Sequence, residues 1–154
     1  MNRREALHEL LGRLSDWWRG SSPGWLGRGG HERHQRGWRA EDYAANRLIR
    51  DGYHILGRNV RVGPGEIDIV AEEDRMLVFI EVRSREEGSL RRPLDTITWA
   101  KRKRVRRCGV DYVRRRRIGR VRCRFDVVEV FLDGNGQPAR AEVHRAALGV
   151  METR

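Results

Sequence analysis

The stretch that most constrains the fold is "GEIDIVAEEDRMLVFIEVR", Gly65 to Arg83. Two runs rich in β-branched and apolar residues, Glu66–Ala71 and Met76–Arg83, flank a short polar segment, which predicts two strands joined as a hairpin. A turn centred between Asp74 and Arg75 sets Asp68 opposite Glu81 and Glu66 opposite Arg83. Period-two alternation then places these four on one face of the sheet, continued by Val70 and Phe79. Opposed side chains have Cβ atoms about 5 Å apart, where two like charges in a partly shielded site repel by roughly 3 kcal/mol.

Either a proton shared between the two acids or a cation held between them relieves that repulsion. A shared proton suits acid–base work such as glycoside cleavage, whereas a divalent metal takes hard carboxylate oxygens. The charge of the chain favours the metal: 33 Lys and Arg against 22 acids give a formal net charge of +11, a poor match for neutral sugar and a good one for a polyanion. A shift of register by one would make Asp68 and Glu81 diagonal neighbours, still near enough to share an ion.

The flanking sequence supplies the other layers. Arg39–Asp51 has helical spacing and ends at Gly52, Tyr53–Arg61 alternates as a strand, and Pro93 opens a long helix to about Arg116. Val121–Phe131 is a strand, "LDGNGQP" a turn, and Ala139–Arg145 a short last strand. The order α-β-β-β-α-β-β predicts an α/β sandwich around a central mixed sheet, the long helix being the crossover that returns the chain parallel to an earlier strand. Two helical positions break the apolar pattern. Glu41 occupies the first slot of the stripe Ala44, Ala45, Leu48, so it either points at the sheet or simply favours the helix dipole near an N-terminus. Lys101 sits amid Leu94, Ile97, Val105, Cys108 and Tyr112, so it either meets inward acids or snorkels to the edge.

Outside this core, residues 1–19 place Leu7, Leu10, Leu11, Leu14, Trp17 and Trp18 on one helical stripe. That amphipathic helix could pack on the domain or dock on a protein partner or membrane surface. Residues 20–37 read as a flexible linker, so the chain divides into an appendage of residues 1–37 and a domain of residues 38–154. "HERH" in that linker has His31 and His34 three apart, not the four of a zinc-protease helix, and is expected to be non-helical. Cys108 and Cys123 lack metal-ligand spacing and are too few for a disulfide framework, which with the missing apolar leader predicts a cytoplasmic protein without stable membrane insertion.

Taken together, the motif resembles that of the PD-(D/E)XK nuclease superfamily, an acid on one strand and acid-x-lysine on the next. Within it the chain is similar to the YraN-like family of uncharacterised, predicted endonucleases. The resemblance is carried by Ala40-Glu41, Gly52-Tyr53, Asn59-Val60-Arg61, Gly65-Glu66-Ile67-Asp68, Val78 to Arg83, Lys101 and Phe125-Asp126-Val127. It implies a restriction-endonuclease-like fold, with Glu41, Asp68 and Glu81 as ligands of Mg²⁺ or Mn²⁺, helped by the Val82 carbonyl. It also implies catalytic roles around Asp68, Glu81, Arg83 and Lys101. The departure is Arg83, where the superfamily usually has lysine; arginine can hold a phosphate but cannot readily give up a proton.

Two functions of different class follow. One is metal-dependent phosphodiester hydrolysis on DNA or structured RNA, DNA being the leading partner. The other is a nucleic-acid-binding module whose nuclease site is degenerate. Lys101–Arg124 holds 13 Lys or Arg and one acid, which makes Arg102, Lys103, Arg104 and Arg107, with Lys101, Arg61 and Arg83, the expected phosphate contacts. No groove-reading motif is present, so recognition is expected to be by shape. A third function, docking through the Trp-rich N-terminal helix, would make the chain an interaction protein.

Overall fold

The structure, a computed structural model, describes residues 31–89 and 97–153, with side chains from Arg39 onward. The order is α1 (His31–Arg50), β1 (His54–Val62), β2 (Gly65–Glu73), β3 (Met76–Glu86), α2 (Trp99–Arg115), β4 (Arg122–Leu132) and β5 (Pro138–Glu152). The strands form one sheet in sequential order, antiparallel throughout except for β3 and β4, which run parallel across the α2 crossover. This is a five-stranded mixed α/β sheet of the restriction-endonuclease-like kind, as the order of elements predicts.

Each helix covers one face. α1 buries Ala40, Ala44, Ala45 and Leu48 with Ile69, Ala71, Val78, Ile80, Val128 and Val130. On the other face Val105, Cys108, Tyr112 and Val113 of α2 pack with Val70, Phe79, Phe125 and Val127. Contact there is close because Gly109 carries no side chain: a Cβ would lie 2.7 Å from the Phe125 ring and 2.9 Å from that of Phe79.

The β2–β3 register is the expected one, running from Glu73↔Met76 to Ile69↔Ile80. Asp74 and Arg75 both have positive φ, 51° and 62°, the conformation of a tight two-residue hairpin whose twist suits the flanking strands.

Several bounds differ from the sequence expectation. α1 begins at His31, eight residues before Arg39, so "HERH" is helical; nothing from His31 to Arg36 breaks a helix, and Gly37 inside it costs only about 1 kcal/mol. The second helix starts at Trp99, not Pro93, because Thr98 caps it: its hydroxyl accepts from the Lys101 amide at 3.2 Å. The last strand has 15 residues, not seven, and wraps a bulge at which Ala146 takes a φ of 54°. Pro93, the expected helix of residues 1–19 and the linker before His31 lie outside the described residues. Among those residues no helix is long and apolar enough to cross a membrane.

Candidate active site

The β2–β3 ladder stops at Ile69↔Ile80. Below that point β2 stays paired with β1 through Val62↔Gly65, while β3 stays paired with β4 through Glu86↔Leu132, so the sheet forks. Asp68 and Glu81 are the first residues past the split. In place of a main-chain partner, the Val82 amide donates to Asp68 Oδ2 at 2.7 Å. A carboxylate thus stands where a carbonyl would have continued the ladder, and it ties the strands together as they part.

Around Glu81 two cations converge from different elements. Lys101 Nζ, from the first turn of α2, is 2.6 Å from Glu81 Oε1, and Arg83 Nε, from β3 itself, is 3.5 Å from the same oxygen. Glu81 is buried, Arg83 half-buried, and the Lys101 side chain only 27 % exposed, so the lysine turns its ammonium inward and does not snorkel to the edge.

The acids perturb one another. Burial, and next the charge of Glu81, push the Asp68 carboxyl up to about 7; the charge of Glu41 adds to the rise, while the Val82 amide and Lys101 oppose it. Glu41 belongs to the opposite layer, yet it reaches this region. Burial raises its carboxyl against the hydrogen bond from the Asn59 side chain and the charge of Arg58, and its Oε2 is buried without a hydrogen-bond partner. Because α1 starts at His31, Glu41 lies ten residues inside the helix, too far from its N-terminus for the dipole to explain it. Asn59 has a φ of 51° and sits on β1 between the pairs Arg58↔Ile69 and Val60↔Ile67, opposite Asp68.

Asp68 and Glu81 at the fork, with Glu41 near enough for its charge to reach Asp68 and its buried Oε2 unpartnered, offer the hard oxygens a divalent cation takes. The three do not stand with their ligand atoms within 4.8 Å of one another, so a bound ion would have to draw them in. The donor set is all oxygen, the chemistry that magnesium and manganese take.

The basic residues divide. Lys103, Arg104 and Arg107 are exposed along α2, Lys103 with its ammonium 5.1 Å from the centre of the Trp99 ring and Arg107 4.0 Å from Asp111. Arg102 instead turns to the body of the protein, donating to the Ala147 carbonyl at 3.2 Å. Arg61 lies on β1, exposed, 3.9 Å from Glu66.

Asp126 does not join the fork. It is fully buried on the α1 side, where the Tyr53 hydroxyl donates to it at 3.1 Å, Arg124 Nε at 2.9 Å, and the Ala146 amide of the β5 bulge at 2.8 Å. Arg124 also reaches Glu73 at 2.8 Å. The Gly-Tyr and Phe-Asp-Val motifs are therefore two halves of one structural network.

Sequence reasoning missed a second polar cluster. Glu129, an acid inside the apolar run "DVVEVF", sits on β4 opposite Glu142 and beside His144, and their ligand atoms all lie within 4.8 Å of one another. The same signal that marked Asp68 and Glu81, an acid in the middle of a buried strand, was present there.

Comparison with known proteins places the chain in a family. Residues 40–130 match the model of the uncharacterised protein family UPF0102, a span from the residue before Glu41 to near the end of β4. A UPF0102 protein of Moorella thermoacetica is 43% identical over 115 residues, covering 75% of this chain and 96% of its own. One from Syntrophotalea carbinolica is 43% identical over 90 residues, covering 58% and 73%, and one from Clostridium perfringens 37% identical over 94 residues, covering 61% and 77%. By these matches the chain belongs to the UPF0102 family.

Proposed function

We propose that this protein is a metal-dependent phosphodiesterase acting on nucleic acid, DNA in the first place, at the fork between β2 and β3. The observation that carries the reading is the meeting of Asp68, Glu81, Lys101 and Arg83 where the ladder ends. Glu41, Asp68 and Glu81 would hold Mg²⁺ or Mn²⁺, which supplies charge to polarise a phosphate and acidify a water.

The remaining work falls to the chain. Glu81 anchors both cations at one oxygen, fixing where a phosphate group can approach. Arg83 neutralises phosphate charge, since a guanidinium stays protonated at any working pH. Lys101 orients or deprotonates the attacking water, a role open to an amine and closed to arginine. Lys103, Arg104 and Arg107 extend the contact along the backbone of the nucleic acid, which positions it without reading sequence.

Arg83 also favours a second reading, a binding module in which the site holds phosphate and no longer cleaves. One experiment divides them. Wild type and Arg83→Lys are incubated with Mg²⁺ or Mn²⁺ and single-stranded, duplex, flap and branched substrates. Cleavage by wild type that is abolished in Asp68→Asn supports the enzyme. Silence in wild type with cleavage awakened by Arg83→Lys supports the module. Silence in both, with no DNA binding, overturns the proposal.

A further inference from the structure

We propose a second metal site, for a transition metal such as Zn²⁺, formed by Glu129, Glu142 and His144 on the sheet face shared with Glu81. Glu129 and Glu142 are direct cross-strand partners on β4 and β5, and His144 follows Glu142 by two residues, so all three project from one face. His144 Nε2 lies 3.5 Å from Glu129 Oε2 and 3.9 Å from Glu142 Oε2. These gaps are too long for a charged hydrogen bond, which closes to about 2.7–2.9 Å. They are close to what an ion needs: ligand atoms each about 2.1 Å from a tetrahedral metal stand roughly 3.4 Å apart.

A second observation points into the same gap. Glu129 is 1% exposed, and both its Oε2 and His144 Nε2 are buried without a hydrogen-bond partner. Leaving such atoms unsatisfied costs about 1–3 kcal/mol each, which a bound ion would recover.

The other carboxylate oxygens are already taken, in the manner of supporting groups around a metal. Arg85 Nε is 2.6 Å from Glu129 Oε1, and Arg140 pairs with Glu142 Oε1. Both guanidiniums are braced on the Phe131 ring, 4.8 Å and 3.4 Å from its centre. Each arginine thereby holds one oxygen of a carboxylate and leaves the other turned to His144. An imidazole nitrogen in the set selects zinc-like ions over magnesium, which sets this site apart from the all-oxygen fork.

The test uses the full chain stripped with chelator. Zn²⁺ is titrated by calorimetry, and Co²⁺ by its visible absorption, into wild type, Asp68→Asn, His144→Ala and Glu129→Gln. The expected result is a tetrahedral cobalt spectrum in wild type, and a Zn²⁺ site and the same spectrum that persist in Asp68→Asn, where the fork no longer holds a cation. Affinity should fall at least about a hundredfold, and the spectrum should vanish, in His144→Ala. His144 is half-exposed, so that variant keeps its fold even if Glu129→Gln does not, and circular dichroism checks this. Zn²⁺ binding unchanged in His144→Ala, or absent from wild type, overturns the proposal and leaves the cluster to its contacts within the chain. Mg²⁺ competing equally with Zn²⁺ at His144 overturns it as well.

Discussion

Lys101 Nζ and Glu81 Oε1 stand 2.6 Å apart, joining the first turn of α2 to the strand past the fork. The helix is held for this contact by its cap at Thr98, which fixes where its first turn begins. Lys101→Met keeps the aliphatic stem and removes only the ammonium. It should lower the thermal midpoint, since buried Glu81 loses its nearest cation, leave the chain folded with DNA affinity little changed, and lower metal-dependent cleavage by roughly a hundredfold or more, the scale of a positioned acid–base group. Cleavage at the wild-type rate in this variant would remove Lys101 from the mechanism.

Asp68→Asn separates stability from function. The amide oxygen can still accept from the Val82 amide, while the charge set against Glu81 disappears. In metal-free buffer at about pH 8 the variant should melt higher, by roughly 3–8 °C for a gain of about 1–2 kcal/mol. Its Mn²⁺ affinity at the fork should collapse in calorimetry. A lower melting point would mean that the repulsion between the acids is already relieved without metal.

Charge on the exposed face of α2 can be removed without touching the core. A triple variant, Lys103→Gln with Arg104→Gln and Arg107→Gln, should weaken binding to any DNA and reduce the slope of log K against log salt by up to about 3, near one for each lost phosphate contact. Fluorescence anisotropy across a salt series measures the slope. An unaltered slope would move the phosphate track elsewhere.

Gly109→Ala tests how closely α2 lies on the sheet. Alanine favours a helix over glycine by about 1 kcal/mol, but here its methyl meets two rigid rings at 2.7 Å and 2.9 Å. Phe79 and Phe125 are stacked with centroids 5.3 Å apart and cannot swing aside independently. The clash should prevail, with a net loss of about 1–3 kcal/mol in urea unfolding.

Tyr53 gives a pH signature away from the fork. Burial, and then the Asp126 carboxylate, push its hydroxyl up to about 12, above the usual value near 10 of an unfolded chain. Between these values the folded state keeps a proton that the unfolded state releases, so stability falls as pH rises through the window and this contribution is gone above about 12. Tyr53→Phe should therefore lose less stability between about pH 9 and 11 than wild type does. Equal losses would show that Tyr53 does not govern the alkaline limb.

What the sequence made legible follows from where local rules and tertiary structure agree. The β2–β3 register could be read because Asp74-Arg75 closes a two-residue turn and the apolar alternation admits one pairing. Asp68, Glu81 and Lys101 stood out because each is a charge in a run that burial should have kept apolar. The length of β5 was hidden: it is an edge strand, largely exposed, whose alternation is interrupted by the bulge at Ala146. Arg124 and Asp126 look like ordinary strand charges, and their partners Tyr53 and Glu73 are more than 50 residues away in sequence. The early start of α1 was masked by Gly37, whose small helical cost gave an impression of linker.

One consequence of the fork concerns its main-chain amide at Val82, which has a side-chain acceptor where its neighbours along the ladder have carbonyls. Its protection from solvent exchange therefore depends on the charge and position of a single carboxylate. Whatever draws Asp68 toward a cation also loosens or tightens that one bond. The Val82 amide signal is thus an internal gauge of the site, readable in protein without substrate, label or turnover.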